Sequence, residues 1–227
     1  LARLLQRFRI PVLSHGPLEG MGRTGTATIL RELGIMPAVT LAKAQEAMRR
    51  DGLAFVPTQV VAPGLANLLS MRQRLGVRNS GHTLIKMIDP FAGDSVRLVS
   101  VSHPDYLEKM RNFFTGSDAN VLLLRGTEGE AFANPKRRPQ LELMKDGRHE
   151  ILFEAEVGPI ATLPKLPGAI DAVTTAAWIR AALTGQAPLP TPLVNQLACC
   201  LYASGYAQDM NQAKAIVAVE TGSLAAA

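Results

Sequence analysis

Short unbroken apolar runs alternate along this chain with stretches whose apolar positions fall three or four residues apart, a strand-then-helix rhythm that repeats several times. Leu1–Phe8 has the spacing of a helix end, and Ile10–Leu13 that of a short buried strand running into a glycine-rich loop from His15 to Gly25. Thr26–Leu33 and Thr40–Arg50 are helix-spaced, the second with Leu41, Ala44, Ala47 and Met48 along one side, and Leu53–Val56 returns as a strand before Pro57. Pro63–Leu75 is predicted as a helix closed by Gly76, Ser95–Val101 as a strand, Pro104–Thr115 as a helix opened by its proline, and Asn120–Leu124 as a further strand. Beyond a polar loop, Gly126–Arg138, the runs Leu141–Met144 and Ile151–Phe153 flank Lys145-Asp146-Gly147, whose Asp-Gly pair is a turn signal and predicts a hairpin. Helices follow at Asp171–Thr184, Val194–Ala203 and Met210–Glu220, the first two separated by a proline-rich hinge at Pro188–Pro192, and the chain closes on a loose tail, Gly222–Ala227.

Repeated strand and helix units of this kind predict the α/β class, with a mostly parallel sheet flanked by helices. Within residues 1–227 the segment 57–90 is expected to pack as part of a small helical domain, and 171–221 as a helical C-terminal layer. At 227 residues and 47% hydrophobic content the chain can bury a substantial core. Its longest apolar stretches, such as Val121–Leu124 and Leu197–Leu201, are far too short for a membrane span. Arg3, Arg7 and Arg9 are spaced as on an amphipathic helix, unlike a secretory leader, so the expected location is the cytoplasm. The two cysteines, Cys199 and Cys200, are neighbours that point in different directions on a helix, which suits reduced core thiols.

Charge changes the picture more than composition does. The chain carries 24 Lys+Arg against 19 Asp+Glu, a net +5, and the excess is unevenly placed. No Asp or Glu occurs between Gly52 and Ile88, whereas Arg72, Arg74, Arg78 and Lys86 all fall there. Cations in that arrangement can pair with a phosphate backbone and release its condensed counterions, or they can form a solvated helix face. Lys136, Arg137 and Arg138, framed by Pro135 and Pro139, make a second basic cluster. His82, beside Asn79, Ser80 and Thr83, can donate to a phosphate or fix its own loop. His15 reads as a loop residue packed near its strand, and His103-Pro104 as a turn and helix start. No Ser, His and acid grouping, Cys and His metal spacing, or Gly-Lys-Thr phosphate loop occurs, and no cofactor is expected. With aromatics at only 5%, binding to nucleic acid should be electrostatic and nearly blind to sequence.

Three segments, in order, resemble anthranilate phosphoribosyltransferase and cover roughly Leu1 to Gly147. They are Ser14-His15-Gly16-Pro17 with Gly25-Thr26-Ala27 and Leu30-Arg31-Glu32-Leu33-Gly34; Met71-Arg72-Gln73-Arg74-Leu75-Gly76-Val77-Arg78; and Leu124-Arg125-Gly126-Thr127-Glu128-Gly129. The resemblance implies a phosphoribosyltransferase-type α/β domain beside a small helical domain, with the family's N-terminal helical region largely absent from this chain. It departs where the family's chemistry lies. The family's loop Lys and Asn, which hold phosphoribosyl pyrophosphate, are here Ser14 and Pro17, and proline offers no donor. The family's magnesium-binding Asp-Glu pair is here Ala131 and Phe132, neither of which can ligate a hard cation. Glu128 and Glu130 stand nearby but displaced, and Arg72 matches the family's anthranilate-binding arginine.

The run Arg78-Asn79-Ser80-Gly81-His82-Thr83-Leu84-Ile85-Lys86, with Val99-Ser100-Val101-Ser102-His103-Pro104 and Gly126-Thr127-Glu128-Gly129-Glu130, resembles a YbiB-like sub-group of that family. This second resemblance implies a protein that is not a transferase and binds DNA or RNA. It also implies a homodimer for the full-length protein, with the usual dimer contacts in a region ahead of Leu1. The expected site is therefore Arg72, Arg74, Arg78, His82, Lys86, Lys136, Arg137 and Arg138, with no catalytic residue, no metal and no membrane partner. The alternatives are a magnesium-dependent phosphoribosyltransferase and a sensor of a phosphorylated metabolite.

Overall fold

The computed structural model describes residues 1–20, 22–127, 130–158 and 165–222. The chain divides into two compact units: an amino-terminal one, Ala2–Pro90 with Leu166–Ala187, and a carboxyl-terminal one, Leu1 with Phe91–Lys165 and Pro188–Ala227. The first begins α1 (Ala2–Arg7), β1 (Val12–Gly16), α2 (Thr26–Glu32), α3 (Leu41–Asp51) and β2 (Leu53–Pro57). Four short helices follow, α4 (Thr58–Val61), α5 (Pro63–Ser70), α6 (Arg72–Leu75) and α7 (Gly81–Leu84), the last running into a 3₁₀ turn at Ile85–Met87. The second unit holds β3 (Arg97–Val101), α8 (Pro104–Thr115), β4 (Val121–Thr127), β5 (Glu130–Ala133), β6 (Leu141–Lys145) and β7 (Arg148–Phe153). Then α9 (Ala172–Leu183) belongs to the first unit, and α10 (Thr191–Ala203) and α11 (Met210–Thr221) to the second.

In the amino-terminal unit β1 and β2 pair in parallel, Val12 opposite Leu53 through Gly16 opposite Pro57. A parallel strand covered on both faces has no polar side to alternate with, and all five residues of β2 are buried. Ala54 and Val56 pack with Ala38 and Ala44, backed by Leu13, Ala47 and Met48. Phe55 points the other way, against Ala27 and Leu30 of α2. Thr40 opens α3 by accepting the Lys43 amide at 3.1 Å, and Gly52 closes it in the left-handed conformation. Leu41, expected on the apolar side of α3, is 53% exposed, since it is the first helical residue and ends the stripe.

In this unit two boundaries differ from expectation by more than a residue or two. Parallel pairing with β2 carries β1 through His15 and Gly16, which were expected in the loop, and every β1 residue is half-buried. The single helix expected at 63–75 is two. At Met71 the ladder tightens, its amide donating to Leu68 three residues back, and α5 ends there before α6 begins.

In the carboxyl-terminal unit the sheet order is β3-β4-β6-β7, with β5 pairing on β4. β3 and β4 are parallel, joined across α8; β4 with β6, β6 with β7, and β4 with β5 are antiparallel. The α/β class thus holds, with the strand–helix–strand crossovers supplying the parallel pairings, but the second sheet is mixed and not mostly parallel, because β5 and the β6–β7 hairpin add three antiparallel pairings. The hairpin turn is Asp146-Gly147, with φ of 53° and 69°, as a two-residue turn matching strand twist requires. The segment expected as a polar loop from Gly126 contains the end of β4 and all of β5. A Cβ on Gly126 would fall on the Glu130 carbonyl oxygen and 2.6 Å from Ser100, so only glycine lets β5 fold back this closely.

α10 is buried along nearly its whole length, including Leu197, Leu201, Asn195 and Gln196. Cys199 and Cys200 lie within it as free buried thiols; desolvation raises both, Cys200 to about 12. Among the described residues no helix is long and apolar enough to cross a membrane.

Candidate nucleic-acid interface

The stretch without carboxylates folds into the short helices α5 to α7. Asn79 ties them together: its side-chain amide donates to the Leu68 carbonyl at 2.6 Å, and its Oδ1 accepts the Gly81 amide at 3.0 Å. Gly81 is buried, and a Cβ there would stand 3.1 Å from that of Leu68, so α7 sits close on α5. His82 is held by the same residue. Its Nδ1 accepts the Asn79 amide at 3.3 Å and lies 3.3 Å from both the carbonyl oxygen and Oδ1 of Asn79.

Partial burial lowers the pKa of His82 below the ordinary imidazole value; the Asn79 carbonyl opposes this, and the positive charges of Arg78, Arg72 and Lys86 lower it further. Arg78 precedes α7, His82 lies within it, Lys86 lies on the 3₁₀ turn that follows, and Arg72 on α6. Arg74 and Arg78 are exposed, and Arg72, His82 and Lys86 half-buried. Met71, Leu75 and Val77, interleaved with the arginines, are exposed as well.

The second basic cluster lies in the carboxyl-terminal unit. Asn134 builds its turn, the Lys136 amide donating to Asn134 Oδ1 at 3.0 Å and the Arg137 amide to the Asn134 carbonyl at 3.2 Å. Lys136 and Arg137 are exposed, and the Arg137 guanidinium donates to the Gly158 carbonyl at 2.6 Å. Arg138, expected beside them, turns inward and is 9% exposed. Its guanidinium lies 5.0 Å from the Phe153 ring centroid, donates through Nε to the Glu154 carbonyl at 3.1 Å, and stands 3.8 Å from Glu156. It is a packing residue at the end of the β6–β7 hairpin, and the exposed pair is Lys136 and Arg137.

The chain is 41% identical over 218 residues to the uncharacterized protein YbiB of Escherichia coli (strain K12), an alignment covering 96% of this chain and 68% of that protein. It belongs to the YbiB family. It is also 27% identical over 223 residues to the anthranilate phosphoribosyltransferase of Methanosphaerula palustris, covering 96% of this chain and 65% of the enzyme. In solved structures the fold matches anthranilate phosphoribosyltransferase from Thermus thermophilus, with a TM-score of 0.71 at 20% identity over 97% of this chain and 66% of the enzyme. It also matches the Saccharomyces cerevisiae enzyme, at 0.54 and 12% identity, over 97% and 74%. The YbiB-family chain is thus homologous to these transferases and spans about two thirds of its full-length relatives. No protein-family model matches it.

In this YbiB-family chain the positions resembling the transferase site are occupied as follows. Ser14 and His15 lie within β1, and Pro17 follows it. Burial lowers the pKa of His15, and its Nδ1 is buried with no hydrogen-bond partner among the described residues. Ala131 and Phe132 lie on β5, which Gln196 clips to α10: its Nε2 donates to the Ala131 carbonyl at 3.2 Å, and its Oε1 accepts the Ala133 amide at 3.0 Å. Two hydrocarbon side chains offer magnesium no oxygen, so the residues present do not fit the ion bound at the corresponding positions of the family. Glu128 and Gly129 lie outside the described residues. Among those described, no group of three His, Cys, Asp or Glu could hold a metal ion.

Sequence reasoning missed one buried polar constellation. Glu142 on β6 is fully buried and takes two bonds from Arg111 of α8, at 2.6 and 2.9 Å, and one from His149 of β7 at 2.8 Å. A lone carboxylate inside an otherwise apolar strand run was the available signal, since such a group is buried only with partners.

Proposed function

We propose that this YbiB-family protein binds DNA or RNA, with little regard to sequence, on an anthranilate phosphoribosyltransferase scaffold that no longer transfers pentose. The observation that carries this reading is a stretch from Gly52 to Ile88 that holds Arg72, Arg74, Arg78 and Lys86 and no carboxylate, with Arg74 and Arg78 exposed. Cations gathered on short helices pair with successive phosphates, and the release of condensed counterions drives association. No aromatic residue occurs between Pro57 and Pro90, so contacts fall on the backbone and not on base faces. Arg74 extends the cluster, and Lys136 with Arg137 supplies a second contact. In this reading the full-length protein is a cytoplasmic homodimer, which joins two basic surfaces into one longer track.

The test is fluorescence anisotropy of labelled single- and double-stranded oligonucleotides at about 50 and about 200 mM salt. Four phosphate contacts on a duplex give a log–log salt slope of roughly −3.6, a loss on the order of 100-fold across that range. An Arg78→Glu, Arg137→Glu variant should bind weakly and with a shallower slope. No binding at low salt by the folded chain overturns the reading. Consumption of phosphoribosyl pyrophosphate with Mg²⁺ and an aromatic amine would establish the transferase instead.

A further inference from the structure

We infer that one flank of α8 is a stacking strip for single-stranded nucleic acid, on which Tyr106 and Phe113 take unpaired bases while Lys109 and Arg125 take the backbone phosphates. The inference rests on the nucleic-acid reading above and adds the strand form and a further contact surface. α8 packs on β3, β4 and β6 and buries Met110 and Phe114. Beside that buried face it carries two rings turned toward water, Tyr106 at 50% exposure and Phe113 at 54%. Seven residues apart, they stand one above the other, about 10 Å along the helix, with Lys109 between them on the same flank.

Both rings are held in place by neighbours. Phe113 stands edge-on to buried Phe114 with centroids 5.2 Å apart, and Tyr106 stands edge-on to His103 at 6.3 Å, with the Lys109 ammonium 5.5 Å from its centroid. Rings fixed in this way lose little freedom when a base stacks on them. The sheet register brings further cations to the amino-terminal end of the strip, all within the carboxyl-terminal unit. Arg125 lies opposite Val101 in the β3–β4 pair, is exposed, and donates through Nε to the carbonyl of Ser102 at 3.1 Å, one residue ahead of His103. Ala133 lies opposite Gly126, and the turn bearing exposed Lys136 and Arg137 follows it directly. Of the carboxylates on α8, Asp105 stands 3.7 Å from His103 Nδ1, and Glu108, two positions past Tyr106, falls on the other side of the helix toward Arg111. Bases inside a duplex are already stacked on one another, so rings of this kind select a single strand.

The experiment measures the affinity of labelled oligothymidine and of a mixed-sequence duplex, at several salt concentrations, for the unaltered chain, Tyr106→Ala, Phe113→Ala and the double variant. Each single substitution should weaken single-strand binding by about 5- to 150-fold. Duplex affinity should stay as it was, and so should the slope of log affinity against log salt, because stacking releases no counterions. A single strand carrying 5-iodouracil, photocrosslinked to the unaltered chain and mapped by mass spectrometry, should mark Tyr106 or Phe113; this readout serves if a variant does not fold. Unchanged single-strand affinity in the folded double variant, equal losses for strand and duplex, or crosslinks confined to residues 57–90 overturns the inference and leaves the nucleic-acid reading standing. So does a double variant that loses self-association in sedimentation while keeping its single-strand affinity, which would make the strip an interface between copies. No binding of either nucleic acid at low salt overturns both.

Discussion

The most demanding test of the carboxyl-terminal core is the removal of Arg111 from Glu142. The carboxylate is fully buried and its two oxygens take Nε and Nη2 of one guanidinium at 2.6 and 2.9 Å, the second partner being His149. Pairing also raises the pKa of Arg111 above its ordinary value, first through the hydrogen bond to Glu142. Arg111→Met keeps the stem and deletes the charge, leaving a buried carboxylate with half its partners. Stranding a buried ion in this way costs about 3–5 kcal/mol, and because the Arg111 side chain is 29% exposed, solvent screening puts the expected loss near the lower end, about 3 kcal/mol. Glu142→Leu should cost far less, about 1 kcal/mol, because the released guanidinium can reach water. The double variant, with no buried charge to strand, should lie within about 1 kcal/mol of wild type, which makes the coupling about 3 kcal/mol. The assay is native-state hydrogen exchange of β6 and β7 amides in urea; Trp178 fluorescence would not serve, as that residue lies in the amino-terminal unit. An Arg111→Met loss below about 1 kcal/mol, or a double variant as unstable as Arg111→Met, would refute the argument.

Two further outcomes are expected. Gln196→Leu strands the Ala133 amide and the Ala131 carbonyl and should cost about 2 kcal/mol, with exchange at Ala133 accelerating more than at β6; unchanged exchange there would show that the clip carries no energy. Cys199 and Cys200 should resist thiol reagents near pH 8 until the chain unfolds. Because burial raises Cys200 from 9.0 to about 12, the stability contributed by its neutral thiol is full below the unfolded value and is lost as pH climbs above it, so a thermal midpoint flat between about pH 9 and 11 would contradict the burial.

What the sequence could show of this protein was whatever short-range chemistry determines. Pro104–Thr115 is helical over the expected span because proline opens it and His103 caps it, both local acts. Asp146-Gly147 turns where expected because its conformation needs residues that accept positive φ. The α/β class followed from apolar period, and the positive stretch from simple absence of carboxylates. The eight expected contact residues fared according to range. Arg72, Arg74, Arg78, His82 and Lys86 lie in the amino-terminal unit, where Asn79 holds His82, whereas Lys136 and Arg137 belong to the other unit. Arg138 differs from its two neighbours only in facing Phe153 and Glu156, residues more than a dozen positions away, and no property of Lys136-Arg137-Arg138 encodes that.

β5 was invisible for the same reason. Its few residues hold their place through Gly126 opposite Ser100 and through Gln196 on a distant helix, not through any pattern of their own. Glu142 reads along the chain as the polar position of a strand, yet α8 covers that side and supplies Arg111. Periodicity assigns a residue to one face of its element. Whether water, a helix or a counter-charge lies over that face is decided by what the rest of the chain brings there, and this only the tertiary structure determined.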